Sequence, residues 1–307
     1  MRQWLIALLQ VAATGAIFWM LVTRIDIAGS WRQIASLAPS AALAVLGLLA
    51  VQLGIAAWRL RCVVETLGHA PPLAVCVRAN LAGGFVGQTP LSIVGADLIR
   101  IWFIRGKYVP LRAAASAIAM DRVFGAVSLL ALIGLTIVPL WFMMPVTALR
   151  QGLLATIFLV AAGFSALLML RFLPERTRRS KAMHWIWETA TALGRILGAG
   201  SDGIVILSLG AAVQILNLLS LYVIARGLDA PLSLYACVVL APVPLFLSML
   251  PISFGGWGVR EAALVTAFEL AGVPSHTTLA ISVIFGLALL VISLPGGLVL
   301  LEHRARA

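Results

Sequence analysis

VRANLAGGFVGQTPLSIVGADLIRIWFI, residues 77–104, is apolar enough to enter a membrane but cannot cross it as one helix. Gln88, Thr89 and Pro90 interrupt it, and Asp97 and Arg100 stand beyond the interruption. Proline removes a helical N–H and clashes with the preceding turn, so the helix stops and a shorter one begins afterwards. The second piece falls short of the roughly 20 residues that a span requires. The pattern predicts a hairpin over 73–104, in which a helix enters, breaks and returns to the same side. Residues 232–271 read the same way. They are broken at LPISFGGWG, Leu250 to Gly258, and carry Arg260, Glu261 and Glu269 beyond the break.

Outward from these hairpins, charge-free windows cover 3–23, 33–58, 123–149, 151–170, 203–225 and 270–301. The 307 residues are 62% apolar and 11% charged, with a mean hydropathy of +1.07. A soluble domain carries about a quarter charged residues, and so few charges cannot clothe a globule in water. The expected fold is an all-α polytopic membrane protein with about six full spans plus two re-entrant broken-helix hairpins. Residues 3–23 follow a single Arg2 without a cleavage pattern and read as a retained span. Residues 181–197 place Met183, Ile186, Trp187, Ala190, Leu193 and Leu197 on one stripe, the pattern of an interfacial amphipathic helix beside a basic cluster.

Charge supports the hairpins. With a cytoplasmic N-terminus and both hairpins returning, fifteen of the 22 Lys and Arg fall on the cytoplasmic side, Arg59 among them, and four fall outside. Arg100, Arg122 and Arg260 stay within the membrane. A full crossing by 73–104 would put Arg105, Lys107 and Arg112 outside and spoil the bias. Both termini are therefore expected in the cytoplasm. Positive-inside loops and anionic lipid account for the net charge of +11 without nucleic acid as a partner.

The two breaks also resemble each other. PLSIVG (Pro90–Gly95) matches PISFGG (Pro251–Gly256) at an offset of 161 residues, and Val123-Phe124-Gly125 falls on Ile284-Phe285-Gly286 at the same offset. The expected organisation is an inverted repeat. Residues 1–150 hold two spans, hairpin 73–104 and span 113–140; residues 151–307 hold two spans, hairpin 232–271 and span 277–301. Broken helices meeting near the midplane of an inverted repeat are a transporter architecture.

Each break sets a helix N-terminus near the bilayer middle, where free N–H groups favour an anion. Ser92 and Ser253 stand at N-cap positions. Arg100 and Arg260 form an expected anion clamp, since guanidinium suits phosphate oxygens. Asp97 and Glu261 are expected to pair with them or to touch the ligand, and Asn80 to line the cavity or bond across helices. Asp121 and Arg122 are adjacent in a span, so they point about 100° apart and need separate partners. The bland alternative is that the arginines only neutralise the carboxylates. Cys62, Cys76 and Cys237 have unrelated spacings, and the four histidines lack ligand spacing, so no metal, cofactor or catalytic residue is expected.

Asn80, Pro90, Gly95-Ala96-Asp97-Leu98-Ile99-Arg100, Asp121-Arg122 and Pro251-Ile-Ser-Phe-Gly-Gly-Trp-Gly-Val-Arg260-Glu261 together resemble the lysylphosphatidylglycerol synthase transmembrane (flippase-like) family. Ala96 departs from the usual second glycine before the aspartate. The resemblance implies an integral inner-membrane protein that moves an anionic phospholipid or a polyprenyl-phosphate-linked lipid between leaflets. The chain ends at Ala307 after its last span, so the soluble synthase domain of full-length members, and its activity, are not expected. An accessory subunit docking a lipid-modifying or glycosyltransferase enzyme is the alternative.

Overall fold

The computed structural model describes residues 26–306 apart from 89–91, 107–108, 144–149, 152–157, 159–161, 164, 167–168, 173–179, 199 and 251–256. The windows 3–23 and, for the most part, 151–170 lie outside the described residues, as does Ser253. Among the described residues the regular structure is helical. The first half contributes α1 (Ile27–Ala35), α2 (Pro39–Glu65), α3 (Leu73–Gly87), α4 (Ser92–Ile104) and α5 (Leu111–Met143). The second contributes α6 (Lys181–Gly198), α7 (Ser201–Gly227), α8 (Leu234–Leu240), α9 (Pro242–Met249), α10 (Val259–Glu269), α11 (Ser275–Ser293) and α12 (Pro295–Arg306).

Among the described residues four stretches are long and apolar enough to cross a membrane: α2, α5, α7 and the combined α11–α12 from Ser275 to Glu302. Their lipid-facing character is visible on α5, where Leu135 is 81% exposed and Val138 is 63% exposed. Such side chains are stable in hydrocarbon, where every backbone group is already paired within the helix. The helices α3 and α8–α9 are apolar but shorter.

Close approaches at glycine set the directions of the chains. Within 73–104, Gly87 faces Ala96 and Gly83 faces Arg100 and the Ala96 carbonyl, so four residues back on α3 is four forward on α4. The two arms are antiparallel, and Gly83 and Gly87 let their backbones approach. Gly227, at the end of α7, meets Ala41 near the start of α2, while Gly210 lies beside the Arg59 guanidinium near its end. These two 27-residue helices therefore also run antiparallel.

Two apolar cores fill the bundle. One combines the later part of α2 (Ala57 to Val64) with α3, α4, the first part of α5 (Ala114 to Phe124), α6 and Ile206. The other combines Val45 and Leu49 with the later part of α5 (Leu129 to Leu140), the end of α7, and α8 to α11. The two hairpins thus pack at opposite ends of α2 and α5. On the amphipathic stripe of α6, Ala190 and Leu193 are buried in the bundle, while Met183, Ile186 and Trp187 are partly exposed.

Candidate functional site

Charged side chains gather where the two cores meet. Asp121 on α5 is 2% exposed and accepts from two arginines. Arg59 Nε lies 2.8 Å from Oδ1 and an Arg100 terminal nitrogen 2.6 Å from Oδ2. Arg100 Nε also donates to Asn80 Oδ1 at 3.0 Å, which ties the two arms of the hairpin together. Arg122, one position on from Asp121, points elsewhere and donates to Asp97 Oδ2. Asp97 sits 3.7 Å from Arg100 through Oδ1, a looser contact than either arginine makes with Asp121. The split agrees with helix geometry, since adjacent positions point about 100° apart.

Arg59 is the residue that sequence reasoning misplaced. It stands only two positions before Arg61 and reads as a helix-end arginine reaching the cytoplasmic interface. Yet α2 continues to Glu65, and Arg59 is 7% exposed inside the bundle. Two positions along a helix turn about 200°, so Arg59 and Arg61 cannot face the same medium. Arg61 takes the outer face and pairs with Glu65 at 2.8 Å.

The cluster borders a cavity of about 410 Å³. Arg59, Arg100, Asp121, Arg122, Asn80 and Gln88 supply its polar wall, and Leu49, Leu53, Met249 and Ile292 are among its apolar lining. Among the described residues of the cluster, three arginines stand with two aspartates, a formal surplus of one positive charge. Charges at membrane depth are costly, about 2.5–3.5 kcal/mol each on the most lenient scale.

Arg260 and Glu261 make a separate cluster. A terminal nitrogen of Arg260 meets Glu261 Oε1 at 2.6 Å, and Ser282 Oγ donates to the same oxygen at 3.0 Å. Glu261 Oε2 accepts the Gly258 N–H at 2.5 Å, so the carboxylate also caps α10. Gly258 has φ 85°, the left-handed region that favours glycine. The guanidinium packs 4.9 Å from the Trp257 ring and 5.6 Å from Phe285. Glu261 is fully buried, Arg260 is 6% exposed, and neither lines the cavity. The expected clamp of two arginines on one ligand is not what the side chains build. Arg100 lines the cavity and Arg260 staples its own hairpin. Trp257 connects the two regions through Nε1, which donates to Gln88 Oε1 at 3.4 Å.

The remaining expected site residue, Ser92, opens α4 as its first helical residue. Among the described residues no group of His, Cys, Asp and Glu is arranged to hold a metal. Apolar spanning helices around a buried charged cavity define an integral membrane protein. The chain belongs to the lysylphosphatidylglycerol synthase transmembrane-region family, whose profile matches residues 5–296. No match was found among curated proteins.

Proposed function

We propose that the chain is a flippase-like transporter that carries a phosphate-bearing lipid, or the headgroup of a lipid-linked precursor, between leaflets. The single observation behind this reading is the surplus positive charge of the Arg59–Arg100–Arg122 cluster on the wall of a 410 Å³ cavity. A phosphodiester carries one negative charge and matches that surplus. Arginine offers it forked contacts, and a dry surrounding strengthens them. Arg100 is the primary headgroup contact and Arg122 the more exposed one; Asn80 and Asp121 hold Arg100 in place. The acyl or prenyl chains remain in hydrocarbon throughout.

Family membership supports the lipid, and the antiparallel α2 and α7 support halves related by inversion. The hairpins packed at opposite ends of α2 and α5 support re-entry from opposite faces. In this reading the protein lies in the inner membrane with cytoplasmic termini and makes or breaks no covalent bond.

The test is flipping of a fluorescent phosphatidylglycerol in liposomes holding the purified protein. Arg100→Gln is expected to slow it at least about tenfold, the value of one charge-assisted contact. Wild-type flipping by that variant would overturn the reading. No flipping by the wild-type chain, with an enzyme co-purifying in equal amount, would favour the accessory role.

A further inference from the structure

The central cavity carries more chemistry than its arginines. Leu49, Gln52, Leu53, Ala56 and Arg59 line it from one face of α2, so it follows that helix from position 49 to 59, roughly 15 Å. Gln52 stands two turns before Arg59 on that face. Ser248 on α9 and Ser293 on α11 share the wall with Asn80 and Gln88. Each of these last four groups is engaged in part. Ser248 Oγ donates to the Leu245 carbonyl at 2.7 Å and Ser293 Oγ to the Leu290 carbonyl at 2.8 Å, which leaves the hydroxyl oxygens as acceptors. Asn80 Oδ1 accepts from Arg100 and Gln88 Oε1 from Trp257, which leaves the amide N–H groups as donors. Neutral donors and neutral acceptors therefore stand together beside the arginines.

Carboxylates are scarcer. Among the described residues Asp121 is the acid that lines the cavity, and each of its oxygens already holds a guanidinium. Asp97 is outside the lining and is held by Arg122. An ammonium entering here would leave water for a cluster with surplus positive charge and meet no free carboxylate. Burying a charge without a partner is costly. An ammonium also only donates, so the amide N–H groups would stay unmatched. A hydroxyl both donates and accepts, and it has no charge to desolvate.

Resting on the transporter reading above, we propose that the site selects an anionic lipid whose headgroup ends in hydroxyls, a phosphodiester of a polyol such as glycerol, and refuses headgroups that end in an amine. The phosphate meets the arginines, and the hydroxyls reach the serines and amides beyond them. Refusal comes from repulsion as well as from missing contacts. Lysylphosphatidylglycerol, which gives the family its name, carries two ammonium groups and falls among the refused.

The full chain in phosphatidylcholine liposomes is assayed for flipping of acyl-labelled phosphatidylglycerol, phosphatidylethanol, phosphatidylethanolamine and lysylphosphatidylglycerol. The first two share one negative charge and differ in their hydroxyls. Phosphatidylglycerol is expected to flip at least about tenfold faster than either amine lipid, the value of one charge-assisted contact, and severalfold faster than phosphatidylethanol. Gln52→Glu sets a carboxylate in the wall at unchanged side-chain size and is expected to shrink the preference over phosphatidylethanolamine severalfold. Gln52→Leu keeps the bulk without the charge and is expected to leave the amine lipids refused, which separates a gained counter-charge from a loosened wall. An amine lipid flipped as fast as phosphatidylglycerol, equal rates for phosphatidylglycerol and phosphatidylethanol, or a preference untouched by Gln52→Glu would overturn the selectivity and leave the transporter standing. No protein-dependent flipping of any lipid, or a wild-type rate from Arg100→Gln, would instead remove the transporter reading and this inference with it.

Discussion

Asp121→Asn is the perturbation that most directly probes the central cluster. One carboxylate serves two guanidiniums at 2.8 and 2.6 Å, all three side chains largely shielded from solvent. Stripping one partner from a buried pair costs about 3–5 kcal/mol, chiefly because a charge is left uncompensated. Here two are left, and the formal surplus rises from one positive charge to two. The penalty is electrostatic, so an anion in the cavity offsets it. A ligand present at a hundred times its Kd returns about 2.7 kcal/mol, most of the loss. Thermal unfolding in neutral detergent should therefore fall sharply for Asp121→Asn. Added phosphatidylglycerol should restore the variant more than it stabilises the wild type, and phosphatidylcholine should not. Adding Arg100→Gln returns the surplus to one, so the double variant should lose less than the two single losses combined. Directly bonded residues couple by about 0.5–3 kcal/mol. Additive losses, with equal rescue by either lipid, would refute an anion-seeking cluster.

Three other substitutions or labels read the remaining framework. Gly296→Ala drives a methyl into the Leu81 carbonyl and to 2.9 Å from Ala82 N, backbone that cannot yield, so α12 must part from α3. An overpacking loss of about 1–3 kcal/mol or more is expected in the same unfolding assay. Ser282→Ala takes a donor from Glu261 and an acceptor from Arg260 and should cost about 1–3 kcal/mol. Its flipping rate in liposomes should stay within twofold of wild type, because Arg260 and Glu261 do not line the cavity. Single cysteines placed at 69 and 106, in a chain whose three native cysteines are replaced, should react with an impermeant reagent from the same side. Labelling from opposite sides would make 73–104 a crossing.

The breaks between α3 and α4 and between α9 and α10 were legible because their signals are backbone chemistry: a proline and nearby glycines. Arg100, Asp121 and Arg122 were legible because an ionisable side chain deep in an apolar run has to be explained by a partner. Arg59 was not, since an arginine near the end of a charge-free window can reach an interface or turn inward. Only the packing of α7 and α5 around it decides. Arg100 and Arg260 lie in separate clusters for a local reason. Arg260 is adjacent to Glu261, and a guanidinium beside a carboxylate on its own helix needs nothing from the other half. The stripe on α6 was legible as a helix, but an apolar face states only that something covers it; protein covers Ala190 and Leu193.

At the 161-residue offset the two halves put the same parts to different use. Asp121 falls on Ser282 and Gly125 on Gly286, and each glycine lies beside a guanidinium: Arg59 in ordinary contact in the first half, and Arg260 in the second, where a Cβ would clash. Phe124 and Phe285, one position earlier, are both fully buried beside them. What differs is where the acid sits. In the second half it is Glu261, on the short helix beside its arginine, so the charge cancels locally and the hairpin is locked around a neutral pair. In the first half it is Asp121, on the long helix, where it must bridge Arg100 from the hairpin and Arg59 from α2. Among the described residues Arg59 and Arg122 join Arg100 there, and with Asp97 and Asp121 opposite them the cluster holds one guanidinium more than it has carboxylates. On the proposed reading, this chemical asymmetry leaves the second short helix as a staple and gives the first cluster a surplus that an anion would match.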